Sequence, residues 1–224
     1  MQKFAVIVAG GSGKRMGTQL PKQFLLLKGK PVLYYTIEAF QKAFPEIKII
    51  LVLPEEHLEL GREIVDGFFD PHSIHLTQGG ETRFHSVANG LALIEEESII
   101  FVHDGVRCLL TPQLIQRCFD QALETGSAIP VVDCKDSVRM ISEEGNEAVD
   151  RSKLKLVQTP QTFHSKILKP AFEIDYKERF TDEATVVEAY GLKVTLVQGE
   201  DTNIKITNPI DLLVAEKIMD AQER

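Results

Sequence analysis

Short continuous apolar runs alternate along the chain with segments in which apolar residues recur every three or four positions. The runs predict buried strands of a parallel sheet, because such strands are covered on both faces, and the longer spacing predicts amphipathic helices. The predicted strands span residues 4–9, 47–53, 73–78, 98–102, 128–132, 154–158 and 194–197, and the predicted helices span 31–44, 55–69, 83–94, 111–124, 165–174 and 181–191, with a terminal helix from 208. This pattern predicts one α/β domain over residues 1–224, with a Rossmann-like, mostly parallel sheet flanked by helices.

The alternation is interrupted at about residues 134–153. Two segments of extended type, Asp136–Ile141 and Glu147–Arg151, flank a turn-rich stretch at 143–146, which predicts a projecting β-hairpin without a crossover helix. An isolated two-stranded hairpin is marginally stable in water, so this hairpin arm should pack on something, and the arm of a symmetric partner is the simplest choice. We therefore expect a homodimer formed through the arm.

The first predicted strand opens into a glycine-rich loop, Gly10-Gly11-Ser12-Gly13-Lys14-Arg15-Met16-Gly17. Glycine lets backbone N–H groups approach an anion, and Lys14, Arg15 and Lys22 add positive charge, so the loop suits a triphosphate. The P-loop motif is absent because arginine follows Gly13-Lys14, and the dinucleotide fingerprint is absent because position 16 is methionine. The alternative is a flexible turn whose basic residues are merely solvated.

Composition and charge favour a small-molecule partner. The formal charge is -8 without a long basic run, so the electrostatic footprint expected for nucleic-acid or membrane binding is missing. Three cysteines without C-x-x-C spacing favour reduced thiols over a disulfide framework or a zinc site. The first strand begins by residue 3 or 4 and no apolar run approaches about eighteen residues, so we expect a cytoplasmic bacterial protein.

The hydrophobic strand Ser98–Val102 is followed by His103-Asp104-Gly105-Val106-Arg107. Functional side chains of open α/β sheets lie at the C-terminal ends of strands. An aspartate beside a polyphosphate loop is a hard oxygen ligand that suits Mg²⁺, so Asp104 is predicted to bind the metal, and the alternative is a turn residue alone. His103 is predicted to be structural, and the helix start near Arg83 and Ser86 is a second candidate for a phosphate or base contact.

Six sequence blocks carry a family resemblance. They are Ala9–Gly17 with Pro21–Phe24, Gly79–Val87, Val102–Arg107, Thr159–Phe163, Thr181–Ala184 and Asn203–Thr207. In this order they resemble the sugar-phosphate nucleotidyltransferases, and most closely the 2-C-methyl-D-erythritol 4-phosphate cytidylyltransferase family. The resemblance covers essentially the whole chain. The ribitol 5-phosphate cytidylyltransferases share most of these blocks and are the rival family.

The resemblance implies transfer of CMP from CTP to 2-C-methyl-D-erythritol 4-phosphate. The products are 4-diphosphocytidyl-2-C-methyl-D-erythritol and pyrophosphate, in non-mevalonate isoprenoid biosynthesis, and Mg²⁺ binds mainly through the CTP phosphates. Catalytic roles are implied for Arg15, Lys22 and Lys205. Roles in substrate binding are implied for Ala9, Gly10, Gly11, Gly13, Gly80, Ser86, Asp104, Gly105, Arg107, Ser137, Arg151 and Thr181.

The family also implies that the arm mediates dimerisation and carries Arg151 toward the polyol phosphate. The chain departs from the family pattern at Gly105-Val106, where two alanines are usual, at Cys108, where proline is usual, and at Ser137, where threonine is usual. The departures at Gly105-Val106 and at Cys108 bear on the local backbone after Asp104.

The implied chemistry is attack by a phosphate monoester oxygen on the α-phosphorus of CTP. The second pKa of a monoester is about 6, so the nucleophile is already largely dianionic at neutral pH and needs no general base. The enzyme must supply alignment and charge neutralisation, which we assign to Arg15 and Lys22 on the polyphosphate side. A non-catalytic nucleotide-binding regulator is the alternative from a different class, and the joint presence of these cations disfavours it.

Overall fold

A mostly parallel β-sheet forms the centre of the structure, a computed structural model that describes residues 1–11 and 20–222. In chain order the strands are β1 (Gln2–Val8), β2 (Leu26–Leu27), β3 (Lys30–Pro31), β4 (Lys48–Leu53), β5 (Ile74–Gln78), β6 (Ser98–Asp104), β7 (Ser127–Asp133), β8 (Val138–Ser142), β9 (Gly145–Val149), β10 (Lys155–Val157), β11 (Gln161–His164) and β12 (Leu196–Gln198). The helices are α1 (Val32–Ala43), α2 (Leu58–Phe68), α3 (Arg83–Leu91), α4 (Pro112–Thr125), α5 (Ser165–Ala171), α6 (Glu183–Ala189) and α7 (Pro209–Gln222).

The strand order of the central sheet is β5-β4-β1-β6-β11-β7-β10, and β12 also pairs with β7. The neighbours β5, β4, β1 and β6 are parallel, whereas β11 is antiparallel to both β6 and β7. In the β1–β6 register Val8 lies opposite Asp104, so the glycine-rich segment and Asp104 leave the sheet at the same level. The carboxyl ends of four parallel strands therefore meet at one edge, where ligands bind in open α/β sheets.

The side chains of β1 alternate between two apolar layers. Ala5 and Ile7 pack with α1, α2 and α4, whereas Phe4 and Val6 pack with α3, α5 and α6. Helices on both faces explain why the predicted strands are continuous apolar runs, because neither face of the sheet meets water. Helix α7 packs on a third cluster that includes Leu27. No helix among residues 1–11 and 20–222 is long and apolar enough to cross a membrane.

The predicted α/β architecture and most of its elements are confirmed, with two kinds of error. The prediction missed β11 and the short pair β2–β3, because these pieces are brief and three of the four residues of β11 are polar. The helix predicted over residues 181–191 takes Thr181 as its N-terminal cap, which is wrong. The cap is Asp182, whose side chain accepts the N–H of Thr185, and the two residues form a reciprocal capping box.

The predicted hairpin is present as β8 and β9, paired from Val138 opposite Val149 to Ser142 opposite Gly145. Its side chains are exposed except at the base, where Val138 and Val149 are half-buried. Met140 and Ile141 are 54% and 76% exposed. Apolar residues this open to water agree with the expectation of a packing partner, which rests on the marginal stability of an isolated hairpin.

The tight contact between α3 and the sheet yields a stability prediction. A Cβ added to Gly90 would lie 2.6 Å from Cγ1 of Val6, whereas one added to Gly67 in α2 would meet nothing within 4 Å. Gly90→Ala should destabilise the protein, because overpacking costs about 1–3 kcal/mol and exceeds a helix-propensity gain of up to about 1 kcal/mol. Gly67→Ala, the matched control, should be neutral or stabilising by up to about 1 kcal/mol. Urea unfolding measures both, and a Gly90→Ala protein as stable as the parent would contradict the packing described here.

Candidate active site

A cleft of about 830 Å³ lies over the carboxyl ends of β1, β4, β5 and β6. Its lining contains eight residues predicted to bind substrate or act in catalysis: Ala9, Gly10, Gly11, Lys22, Gly80, Ser86, Asp104 and Lys205. They come from five separated segments of the chain. The sheet topology, rather than proximity in sequence, therefore brings the predicted site together.

The segment after β1 forms one wall of the cleft. Gln23 Nε2 donates to the carbonyl of Ala9 at 2.7 Å, which ties the turn that carries Lys22 to the end of β1. Lys22 begins a short 3-10 turn at residues 22–24 and is only 7% exposed. Its Cε lies 3.6 Å from the position that a Cβ on Gly11 would take, so the aliphatic stem passes beside Gly11. Lys22 is therefore held beside the backbone that was predicted to receive phosphates.

The opposite wall is the turn between β5 and α3. A Cβ on Gly80 would lie 2.4 Å from Cβ of His85, so only glycine fits there. The Gly80 N–H donates to Ser86 Oγ at 3.1 Å, and the Ser86 hydroxyl in turn donates to the carbonyl of Thr82 at 3.0 Å. Ser86 therefore holds the turn together through these two hydrogen bonds. Gly79 and Gly80 of this turn line the cleft.

Asp104 lies on the floor of the cleft and binds three cationic side chains. Arg83 Nε is 3.4 Å from Oδ1, Arg107 Nε is 3.4 Å from Oδ2, and Lys205 Nζ is 3.0 Å from Oδ2. Burial alone would raise the pKa of Asp104, but the charges of Arg83, Lys205 and Arg107 outweigh it and hold the pKa well below its ordinary value. The carboxylate is therefore ionised throughout the neutral range.

Arg107 lies beneath this floor rather than in the cleft lining. Its Nη1 donates to the carbonyl of Asn203 at 2.8 Å, which joins the end of β6 to the segment that carries Lys205. Gly105 is also buried below the cleft, where an added Cβ would lie 2.9 Å from Cβ of Ala9. Position 105, where the family usually has alanine, therefore lies at the point where the segments after β1 and β6 come close together.

His103 is structural, as predicted. Thr159 Oγ1 accepts the Asp104 N–H at 3.1 Å and lies 2.9 Å from His103 Nδ1, and His103 Nε2 is 3.4 Å from the carbonyl of Arg107. Burial lowers the pKa of His103 to about 3, so the ring is neutral. The neutral His103 ring can form both of its hydrogen bonds: the Thr159 hydroxyl donates to Nδ1, and Nε2–H donates to the carbonyl of Arg107.

The sequence interpretation missed a buried ion pair behind the cleft. Arg83 Nη1 donates to Glu183 Oε1, and Nη2 donates to Oε2 at 3.2 Å. In the sequence Glu183 is an ordinary acidic residue of the first turn of α6, where the helix dipole favours it. The pair joins residues 100 positions apart, so the sole local signal was an arginine at the start of α3.

Three predicted site residues, Ser137, Arg151 and Thr181, lie away from the cleft. Gly13 and Arg15 fall outside the described residues. Ser137 and Thr181 are exposed, and neither lines the cleft. Arg151 is exposed at the base of the arm, where its Nη1 donates to the carbonyl of Lys135. Within one chain, Ser137, Arg151 and Thr181 are therefore not part of the cleft lining.

Comparison with known proteins identifies the family. The family model of 2-C-methyl-D-erythritol 4-phosphate cytidylyltransferase matches residues 3–221. This chain belongs to that family. The enzymes of this name from Bacteroides fragilis and Bacteroides thetaiotaomicron are 49% and 45% identical over 98% of this chain and 100% of their own length.

Solved structures agree with this assignment. The 4-diphosphocytidyl-2C-methyl-D-erythritol synthase from Anaerococcus prevotii has a TM-score of 0.85 at 26% identity and covers 98% of this chain and 96% of its own. The cytidylyltransferase from Thermus thermophilus has a TM-score of 0.74 at 29% identity, with 96% and 98% covered. The chain is therefore a cytidylyltransferase, and the methylerythritol family is favoured over the ribitol and regulator alternatives.

The buried position of Lys22 yields a kinetic prediction. Lys22→Ala should lower kcat/KM by about 10²-fold or more, because it removes a preorganised charge from the wall that is predicted to receive phosphates. Pyrophosphate release measures this, and the thermal midpoint should stay close to that of the parent. Lys166→Ala is the matched control, since Lys166 is 67% exposed on α5 and pairs with Glu97. A collapse in thermal stability with near-normal activity per folded molecule would make Lys22 a structural residue.

Proposed function

We propose that the cleft described above is the CTP site of this cytidylyltransferase, with Ala9–Gly11 and Lys22 on the polyphosphate and the Gly80–Ser86 turn on the cytosine end. The activity follows from family membership: CMP passes from CTP to 2-C-methyl-D-erythritol 4-phosphate, giving 4-diphosphocytidyl-2-C-methyl-D-erythritol and pyrophosphate. The observation that carries the site assignment is the meeting of Lys22, Asp104 and Lys205 in one cleft at the strand ends.

The transfer needs alignment and charge neutralisation more than proton transfer. An oxygen of the acceptor phosphate attacks the α-phosphorus, and the bond to the bridging oxygen breaks, which releases pyrophosphate. We assign Lys22 and Arg15 to the charge that builds up on the polyphosphate, and Lys205 to the α-phosphate or the acceptor phosphate. Lys205 supports this role because its side chain is 42% exposed while its ammonium group is oriented by Asp104.

We also propose that Mg²⁺ binds here through Asp104 and the CTP phosphates. The donor set fits, since magnesium sites of this kind take one or two carboxylates and complete their shell with phosphates and water. Among the described residues no cluster of three or more His, Cys, Asp or Glu could hold a metal alone, which favours a shared site. When bound, the ion neutralises phosphate charge, and the chain itself orients Asp104 through Arg83, Arg107 and Lys205.

The acceptor side is proposed to involve the arm and a second chain. Arg151 and Ser137 belong to the hairpin arm, whose exposed Met140 and Ile141 favour packing against a partner. A partner's arm would then bring its Arg151 to the acceptor phosphate, beside the Thr181 segment. We further propose a cytoplasmic location, supported by the bacterial relatives and by Cys108 and Cys118, buried free cysteines of the kind usual in a reducing compartment.

The substrate assignment has a direct test. Each nucleoside triphosphate is combined with methylerythritol phosphate or with ribitol phosphate, and pyrophosphate release is followed. Fast release is expected for CTP with methylerythritol phosphate, because the family assignment specifies both partners. Faster pyrophosphate release with ribitol phosphate would indicate the substrate specificity of the ribitol 5-phosphate cytidylyltransferases. Pyrophosphate release with neither acceptor would overturn the proposed function.

The metal role of Asp104 yields a second prediction. Asp104→Asn should retain some CTP binding but require several-fold more Mg²⁺ for half-maximal rate, because an amide is a weaker, uncharged ligand. Asp66→Asn, an exposed change on α2, serves as the control. Magnesium titration of the rate measures the effect, and identical titration curves for Asp104→Asn and the parent would reduce Asp104 to a turn residue.

A composite site yields a third prediction. If Arg151 acts on the partner's cleft, a dimer of one Lys22→Ala chain and one Arg151→Ala chain has both lesions in one site and an intact second site. Refolding equal amounts together gives about half mixed dimers and so roughly a quarter of parental activity. If both residues act within one chain, mixing restores nothing. Differently tagged chains verify that subunits exchange, and exchange without recovery would exclude the composite site.

A further inference from the structure

Glu183 carries a charge in a place where a charge is costly. Its side chain is only 1% exposed, and both carboxylate oxygens are bound by Arg83. Ionised groups are rarely buried unless they are paired, and a well-packed apolar pair often gives equal or greater stability. Stability alone therefore does not account for this ion pair.

The geometry of Arg83 shows what the pair controls. Its two terminal nitrogens form a fork on Glu183, which leaves Nε to face Asp104 Oδ1 at 3.4 Å. Arg83 lines the cleft, whereas Glu183 lies behind it. A planar guanidinium held by two parallel hydrogen bonds has a fixed orientation. Glu183 thus decides which edge of Arg83 reaches Asp104.

Glu183 is itself held rigidly with respect to Asp104. Gln161 Nε2 donates to Asp182 Oδ2 at 2.9 Å, and Gln161 Oε1 accepts the N–H of Ala184 at 2.8 Å. Gln161 begins β11 and lies opposite Val102, two residues before Asp104 on β6. The start of α6 is therefore fastened to the neighbouring strand through a single side chain, so the relative placement of the two carboxylates is set by the sheet.

We propose that Glu183 is a positioning residue for cytidylyl transfer, which acts by holding Arg83 so that only its Nε edge meets Asp104. Without the charge of Glu183, the two terminal nitrogens of Arg83 turn toward Asp104 and neutralise its carboxylate. That carboxylate is then no longer available to Lys205 or to a metal ion. The inference rests on the proposed function of the cleft. It assigns no substrate contact to Glu183.

A double-mutant cycle tests whether Glu183 acts through Asp104. The variants are Glu183→Gln, Asp104→Asn and the two together, with Glu188→Gln on the exposed face of α6 as the control. Glu183→Gln should lower kcat/KM by about 10–100-fold in the parental background, a loss typical of groups that orient a ligand from behind. In the Asp104→Asn background it should lower kcat/KM by less than about 2-fold, because coupled residues are not additive. Glu188→Gln should change nothing.

A binding measurement separates positioning from structural damage. Calorimetry of CTP without Mg²⁺ should show equal or tighter binding to Glu183→Gln, since the cleft becomes more positive. Mg²⁺ should strengthen CTP binding to both proteins. The Glu183→Gln variant should need a several-fold higher Mg²⁺ concentration than the parent to reach half of that strengthening. Damage to the fold weakens both kinds of binding and lowers the thermal midpoint, so opposite changes in the two are the signature of positioning.

The outcomes are decisive even if one variant fails to fold. Equal losses in both backgrounds, or no loss in the parental background, would overturn the inference. If Glu183→Gln does not fold, Glu183→Asp replaces it in the same cycle: the shorter side chain loosens the two-point hold on Arg83, so a smaller loss that again disappears in the Asp104→Asn background is expected. An unchanged Mg²⁺ titration in Asp104→Asn alone would refute the metal role proposed for Asp104, while the cycle would still report on Glu183.

Discussion

The carboxylate of Asp104 is the charge on which the rest of the site depends. Arg83, Arg107 and Lys205 converge on it from three different segments, and without it their like charges would repel one another in a partly buried environment. With Glu183 included, the cluster holds three cations and two carboxylates and keeps one net positive charge. That excess fits the proposed binding of the CTP polyphosphate above this floor.

The sheet sets where this charge lies. Asp104 is the last residue of β6 and is paired in register with Val8, after which β1 enters the glycine-rich segment. Side chains alternate between the faces of a sheet, so a slip of one residue would turn Asp104 away from the cleft and His103 toward it. The hydrogen bond from Gly105 N–H to the carbonyl of Val8, at 2.9 Å, extends this pairing beyond the strand. Strand register is therefore a requirement of the chemistry as well as of the core.

Features with a local sequence signal were predictable, and features made by distant segments were not. The buried strands, the glycine turns and Asp104 each follow from a run of a few neighbouring residues. The Arg83–Glu183 pair has no such signal, because its two halves look like an ordinary helix start and an ordinary first-turn acid. The cap of α6 was misplaced by one residue, since Thr181 and Asp182 are both good caps and only the partner Thr185 decides between them.

The distribution of charge around the cleft explains how an acidic protein can bind a polyanion. The chain has a formal charge of -8, and Glu55, Glu56 and Glu81 stand exposed on the lining. Exposed charges act through water and are screened by salt, whereas Arg83 and Arg107 are partly buried beside Asp104, where the dielectric is lower and their field is stronger. With the cleft as the proposed CTP site, a nucleotide would pass the acidic residues of the rim and meet these cations at the floor. The rim would repel a bare polyphosphate more than one already partly neutralised by a divalent ion, so it would favour the metal-bound nucleotide.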